Sequence, residues 1–295
     1  MQKDSKKKKV LITGANSFIG EAFINYIKEN YLGELAIDVI DMKQENWKKK
    51  DFTGYDSVFH VAGIAHVDNG KLSKEKETLY YKVNRDLAVE VAEKAKKEGV
   101  RQFIFMSSAI IYGKAEYITK ETKPNPVGYY GDSKWQAEKR IQQLAEYKFC
   151  VAIVRPPMIY GKGCKGNYPI LAKIARVMPI FPKVKNKRSM LYIENLCEFL
   201  YQLIKSGKEG IFFPQNREYV NTSQMVMEIA RVNGHKIWVT SLLSPFVSLF
   251  MYVPGKIGRL CKKAFGSNYY DSKLENQIQN YQKYNFQESI KRTEG

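Results

Sequence analysis

Short apolar runs alternate with longer segments whose apolar positions recur every three or four residues, and this alternation fills the first half of the chain. KVLITGA (residues 9–15) reads as a buried strand ending in glycine; the helix after it carries Ile19, Phe23 and Ile27 one turn apart and closes near YLGE. LAIDVID (35–41) and YDSVFHVAG (55–63) are the next two strands. In VNRDLAVEVAEKAKKEG, Val83, Leu87, Val91 and Ala95 are spaced by four, and Gly99 closes the helix. VRQFIFMSS (100–108) and FCVAIVRPP (149–157) are further buried-type strands, separated by a helix through DSKWQAEKRIQQLAEY. Strands alternating with helices predict a Rossmann-type α/β fold, a doubly wound parallel sheet covered on both faces. Such sheets bind ligands at the carboxyl ends of their strands, and here those ends read TGA, AG, SSA and RPP.

Beyond about residue 160 the pattern loosens. NYPILAKIARVMPIFP and NTSQMVMEIARVNG read as helical, RSMLYI and IFFPQ as short strands, and no internal repeat is visible. The expected organisation is a dinucleotide-binding domain over 1–165, to which 188–206 returns, and a smaller substrate lobe over 166–295.

At 295 residues with 44% hydrophobic content the chain is long and apolar enough for a sizeable core. The four cysteines (Cys150, Cys164, Cys197, Cys261) lie far apart, without C-x-x-C or a histidine cluster, which argues against a disulfide framework or a metal site. The basic start followed by a short apolar run is too short for a signal peptide, so a cytoplasmic chain is expected. A formal net charge of +18 favours an anionic partner. Its lysines are scattered, and no nucleic-acid-binding motif is recognisable among them.

TGANSFIG (13–20) places Gly14 and Gly20 at a strand-to-helix turn, where a bare backbone lets a pyrophosphate approach a helix N-terminus. Alone it is equally well a tight turn. Asp41, 21 residues beyond Gly20 at the end of the second strand, supplies a carboxylate suited to a ribose 2′-hydroxyl. Lys43, two residues on, keeps a 2′-phosphate open, so NAD is expected and NADP is not ruled out. Asp51 and Phe52 precede the third strand and are expected to flank an adenine. Tyr130 and Lys134 lie four apart, on one face of a helix. A nearby ammonium favours a phenolate, which suits proton removal from an alcohol, and Ser108 at a strand end can hold the same oxygen.

Taken together, TGANSFIG, Asp41, DF, VFHVAG, YYKVN, SSAIIYG, YYGDSK, VRPPMIYGKG, RSMLYIENL and YNFQESIKRT make the chain resemble the extended short-chain dehydrogenases/reductases of the NAD-dependent epimerase/dehydratase family. The resemblance runs over nearly the whole length. It implies catalytic roles for Ser108, Tyr130 and Lys134, and a substrate-diphosphate arginine at Arg188. For the cofactor it implies Thr13, Gly14, Asn16, Ser17, Phe18, Ile19, Gly20, Asp41, Asp51, Phe52, Ala62, Gly63, Asn84 and Pro157 together with Tyr130 and Lys134. Asn167 joins Ser108, Tyr130 and Arg188 in the implied substrate set. Ser17 stands where the family's loop has its middle glycine. Ala109 and Ile110 replace the Asp-Glu pair of the 4,6-dehydratases, which argues against dehydration. Met158 replaces an asparagine usual in UDP-sugar 4-epimerases.

The resemblance therefore implies a 4-epimerase of a nucleotide sugar in surface-polysaccharide synthesis, working through a 4-keto intermediate as a homodimer. Two alternatives stand beside it: a 4-keto-sugar reductase and a non-catalytic cofactor-sensing protein; a lipid-linked rather than soluble sugar is a variation on either enzyme reading. The intact Ser-Tyr-Lys set speaks against the last. IWVTSLLSPFVSLFMYVPGKIGRLCKKAFG (237–266) is apolar and then basic. It is expected to be part of the substrate lobe, packed on its neighbours or on a partner subunit. The other reading is an interfacial helix that docks on an anionic membrane to reach a lipid-linked sugar, and Pro245 is expected to interrupt any single helix through it.

Overall fold

A computed structural model of the chain describes residues 7–65, 74–253, 255–274 and 278–295. Strand β1 (Lys8–Thr13) leads through a tight loop into α1 (Phe18–Asn30) and back to β2 (Leu35–Ile40), which lies beside β1. Strand β3 (Ser57–His60) then pairs with the other side of β1. Next come α2 (Lys74–Tyr80), a π-helical turn (Tyr81–Asp86), α3 (Leu87–Lys97), β4 (Gln102–Met106), the two-residue β5 (Tyr117–Ile118), α4 (Tyr129–Gln142) and β6 (Cys150–Val154). The chain continues through β7 (Met158–Tyr160), α5 (Asn167–Val177), β8 (Ile180–Pro182), β9 (Met190–Tyr192), α6 (Ile193–Ser206) and β10 (Gly210–Phe212). It ends with α7 (Thr222–Val232), β11 (Trp238–Thr240), α8 (Ser244–Tyr252), α9 (Lys256–Phe265), β12 (Tyr269–Tyr270) and α10 (Phe286–Glu294).

The main sheet is six-stranded and wholly parallel, in the order β10-β6-β4-β3-β1-β2. This is the doubly wound α/β architecture that the alternation predicted. Successive strand residues point to opposite faces, so each central strand serves two cores. Val10 and Ile12 join Phe23, Ile27 and Leu200 on the α1–α6 side, whereas Leu11 joins Val91, Phe103 and Ile141 under α3 and α4. Strand order reverses between β1 and β3, which opens a crevice at their carboxyl ends.

Helix α6 packs on α1, and β10 extends the main sheet beyond β6, so the chain serves the sheet layer as far as Phe212. Short parallel pairs β7·β9, β8·β11 and β5·β12 build the region around the strand ends. One sequence expectation changes here. NYPILAKIARVMPIFP is not helical throughout: Met178 is extended (ψ 126°) because it precedes Pro179, and Ile180–Pro182 become a strand. As expected, no single helix runs through 237–266: α8 begins one residue before Pro245, which sits in its first turn, where a backbone N–H has no helical partner to lose. A second break falls between α8 and α9, where Gly255 adopts φ +94°.

Candidate active site

Because the sheet is all parallel, the loops after β1, β2, β3, β4 and β6 emerge along one edge. That edge gathers residues far apart in sequence: the 13–20 loop, Asp41, Ala62 and Gly63, Ser108, and Pro157.

The 13–20 loop is shaped by close approach. Gly14 has φ +117°, and a Cβ there would lie 2.8 Å from the Ala62 nitrogen and 2.9 Å from its Cα. The Gly14 and Ala15 N–H groups donate to the Ile40 carbonyl (3.0 and 3.3 Å), tying the loop to the end of β2 just before Asp41. Asn16 adopts a left-handed φ of +60°. Ser17 caps α1, its hydroxyl accepting from the Gly20 N–H at 3.2 Å. It is therefore a working cap in the place of a glycine, and a Cβ on Gly20 would come within 2.6 Å of that hydroxyl. Phe18 and Ile19 open the first turn of α1, the end where a helix dipole favours an anion.

Two expected cofactor residues use their side chains elsewhere. Thr13 is fully buried, and its hydroxyl pairs with His60 Nδ1 at 2.7 Å across the β1–β3 register. His60 is sandwiched between the Phe103 and Phe105 rings, and burial pushes its pKa down to about 3, so the imidazole is neutral. The Phe52 side chain is buried in the core under α3, and its N–H donates to Glu98 at 2.6 Å. Asp51 stays exposed and accepts from the Thr53 N–H, which holds its carboxyl below the usual range. Asp41 is likewise exposed, accepting from the Lys43 N–H at 2.9 Å.

Beside this loop lie the three residues of the acid–base set. Ser108 caps a short 3₁₀ turn (Ala109–Tyr112), and its hydroxyl hydrogen-bonds to Tyr130. One helical turn on, the buried Lys134 ammonium donates to the Met106 carbonyl at 2.8 Å and lies 4.7 Å from the centre of the Phe105 ring. A Cβ on Gly63 would fall 3.2 Å from Lys134 Nζ and 3.1 Å from Asn84 Oδ1. The bare backbone there is what lets the ammonium reach the edge between β3 and β4. Asn84 sits in the π-helical turn, where the extra residue in the turn shifts the side-chain direction. It accepts from the Ile64 N–H and donates to the Ile64 carbonyl and the Ser133 hydroxyl, so it clamps the loop after β3.

The electrostatics differ from the expected lysine-lowered phenol. Burial raises Tyr130, opposed by the Ser108 hydrogen bond. Burial lowers Lys134 to about 8, while the nearby Glu138 carboxylate opposes that shift. Sequence reasoning missed this second layer. Glu138, one turn beyond Lys134, is fully buried against Arg155 (Nη2–Oε2 2.5 Å), and Ser107 also donates to it. Arg155 further donates to the Tyr112 hydroxyl at 2.7 Å. The available signal was the i, i+4 spacing of Lys134 and Glu138 with an arginine closing β6.

Asn167 and Arg188 come together in a cavity of about 290 Å³ between α5, β9, α7 and α9. Its other walls are mostly apolar, with Met158, Phe181, Met190 and Phe265 among them. Arg188 is half-buried, donates to the Ala264 carbonyl at 3.2 Å, and has its pKa lowered by burial. The Pro156 carbonyl accepts from the Ala109 N–H, and Met158 two residues later lines the cavity. The cavity therefore abuts the strand-end edge that carries Ser108, with Pro157 as the connecting, buried link.

A glycine cradle that a Cβ would fill, a helix N-terminus and an ammonium reached only past a bare backbone fit a dinucleotide. Comparison with known proteins agrees. The profile of the NAD dependent epimerase/dehydratase family matches residues 10–213. The chain is 29% identical to UDP-glucose 4-epimerase of Vibrio cholerae over 255 residues, covering 78% of this chain and 77% of the relative. It is 28% identical to N-acetyl-alpha-D-glucosaminyl-diphospho-ditrans,octacis-undecaprenol 4-epimerase of Escherichia coli O157:H7 over 252 residues, covering 77% and 73%. Among solved structures, a dTDP-4-dehydrorhamnose reductase from Clostridium acetobutylicum shares the fold with a TM-score of 0.73 at 19% identity, over 97% of this chain and 98% of that one. UDP-glucuronic acid 4-epimerase from Bacillus cereus in complex with NAD does so with a TM-score of 0.71 at 15% identity, over 97% and 95%. The cradle, the Ser108–Tyr130–Lys134 edge and the matching profile lead to one conclusion: the chain belongs to the NAD dependent epimerase/dehydratase family.

Proposed function

We propose that this protein is an NAD-dependent 4-epimerase of a diphosphate-linked sugar. The observation that carries the reading is the Ser108 hydroxyl hydrogen-bonded to Tyr130, with Lys134 Nζ one turn away against Gly63, at the edge that also bears the glycine cradle. Similarity to two 4-epimerases over more than three quarters of the chain supports it.

A bound dinucleotide would supply hydride-acceptor and hydride-donor chemistry at the sugar C4. Gly14, the first turn of α1 and Asp41 are proposed to hold it, with Lys134 donating to its ribose. Tyr130, in its phenolate form, takes the proton of the C4 hydroxyl and gives it back after the 4-keto sugar has turned over. Ser108 holds the same oxygen in both halves, so the proton always travels to one place. Arg188 and Asn167 hold the diphosphate end, which keeps the keto sugar captive while its ring rotates. Ala109 and Ile110, directly after Ser108, offer no acid or base for dehydration. The reading expects a cytoplasmic homodimer, by analogy with the family.

A reductase using the same residues once is the competing reading, supported by 26% identity to dTDP-4-dehydro-6-deoxyglucose reductase of Escherichia coli over 77% of the chain. Incubating the protein with diphosphate-linked hexoses and N-acetylhexosamines without added reductant separates the two. Interconversion of C4 epimers is the expected result. Turnover only when a 4-keto sugar and reduced cofactor are supplied would overturn it. Tyr130→Phe should lower turnover about 10²–10⁴-fold while dinucleotide affinity stays within a few-fold; full activity in that variant refutes the assignment.

A further inference from the structure

From Trp238 to Tyr252 the substrate lobe presents large apolar side chains to solvent. Trp238 is 64% exposed, Leu242 75%, Phe246 58%, Leu249 65% and Tyr252 80%. Scattered exposed leucines are ordinary, but five large apolar residues within fifteen positions form a patch. The surrounding charge has one sign. No aspartate or glutamate occurs between Glu228 and Asp271, and every charged side chain from Lys236 through Lys263 is a cation. The α9 sequence KIGRLCKKAF holds four cations and no acid, and Lys262 is exposed. The loop after β8 adds the exposed Lys183 and Lys185: the Lys183 N–H donates to the Thr240 carbonyl, and the Ser244 hydroxyl donates to the Lys183 carbonyl.

This surface is continuous with the substrate cavity. Cys261, Ala264 and Phe265 of α9 form one wall of the cavity that contains Asn167 and Arg188. Phe181 of β8, the partner strand of β11, forms another. Helix α8 has nine residues, and no helix among the described residues is long and apolar enough to cross a membrane. Exposed apolar side chains that include a Trp and a Tyr, with the exposed Lys183, Lys185, Lys236 and Lys262 on the same or adjoining elements, are suited to lying in a headgroup layer rather than spanning it.

We infer that the face built by β11, α8 and α9 docks on an anionic bilayer, and that the cavity beside it takes a sugar diphosphate carried on a membrane lipid. The second clause rests on the diphosphate role proposed for Arg188; the docking itself does not. Docking sets the cavity mouth at the depth where a lipid-borne diphosphate lies, so the lipid need not leave the bilayer. The mostly apolar walls of the cavity suit the hydrocarbon chain of such a lipid better than the polar nucleoside of a nucleotide sugar.

The test is cosedimentation of the full chain with vesicles of phosphatidylcholine containing about one third phosphatidylglycerol. Expected is binding at least about tenfold tighter than to pure phosphatidylcholine, weakened about tenfold by 0.5 M salt. A Trp emission blue shift should accompany it and be lost in Trp238→Phe. Leu242→Asp combined with Phe246→Asp should reduce vesicle binding about tenfold or more, and Lys183→Glu with Lys262→Glu should remove the preference for anionic lipid. These variants should keep dinucleotide affinity and turnover of a water-soluble UDP-sugar, which reports that they fold. Absence of vesicle binding, or wild-type binding by the aspartate variant, overturns the inference. So does dissociation of a wild-type oligomer in the aspartate variant, which would assign the patch to a second copy of the chain. Vesicle binding without epimerisation of any sugar would instead refute the 4-epimerase reading and leave the docking standing.

Discussion

The buried pair behind the catalytic edge offers the sharpest test of how this site is held. Glu138 and Arg155 are 0% and 5% exposed at their side chains, with contacts of 2.5, 3.0 and 3.2 Å between guanidinium and carboxylate. Removing one partner leaves the other charge in a dry site, at a cost of about 3–5 kcal/mol. At roughly 2–4 °C per kcal/mol, Glu138→Leu or Arg155→Met alone should lower the unfolding midpoint by about 6–20 °C. The double variant removes both charges together and should recover most of that loss, because replacing a buried pair by apolar side chains is often near neutral. The same carboxylate also acts on Lys134. It opposes the burial that lowers Lys134 to about 8, so Glu138→Gln should lower the ammonium pKa further. On the proposed reading the protonated form of Lys134 is the working one, so activity is expected to be lost as pH rises through that pKa. The alkaline limb of kcat/KM should therefore lie near pH 8 in the wild type and move to lower pH in Glu138→Gln. Differential scanning calorimetry on the singles and the double, with pH–rate profiles on Glu138→Gln, makes both measurements. Strictly additive stability losses, or an alkaline limb that does not move, would refute the reasoning.

Two further outcomes follow from the same geometry. Gly14→Ala puts a methyl 2.8 Å from backbone at a φ of +117°, so the loop must shift; strain and overlap of about 2–5 kcal/mol should appear as weaker dinucleotide binding by titration and a lower midpoint, while Gly33→Ala, with open space around it, should leave dinucleotide binding untouched. Arg188→Ala should lower kcat/KM about tenfold to a hundredfold, through loss of a charge-assisted contact with the diphosphate, with little change in dinucleotide affinity; an unchanged kcat/KM would remove Arg188 from the substrate site.

Membership in the family sets the chemistry within reach, and the departures narrow it. Ala109 and Ile110 follow Ser108 directly, with Ala109 buried and its N–H taken by the Pro156 carbonyl. Neither can move a proton, so on the proposed reading the acid–base work falls to Tyr130. One such residue is enough for oxidation and reduction at a single carbon, which is what epimerisation and ketone reduction have in common. The net charge of +18 gives both readings an anionic substrate, and its uneven distribution gives the membrane inference its partner.

What the sequence determined by itself was whatever local pattern controls. Strand and helix periods, the glycines of TGANSFIG and the four-residue spacing of Tyr130 and Lys134 are short-range facts, and they yielded the parallel sheet and the edge where it acts. Contacts between distant segments were not legible. Thr13 turns to a buried histidine 47 residues away, Phe52 is drawn into the core under α3, and Glu138 finds Arg155 across the sheet. Each choice depends on which face of a strand or helix meets which neighbour, and one-residue shifts reverse that face. The 237–266 segment makes the same point in the other direction. Its apolar and basic composition was visible, yet whether those side chains face a core or solvent is decided only by packing. The tertiary structure leaves Trp238, Leu242, Phe246, Leu249 and Tyr252 exposed, while Phe181, Met225 and Phe265 line the cavity that holds Asn167 and Arg188.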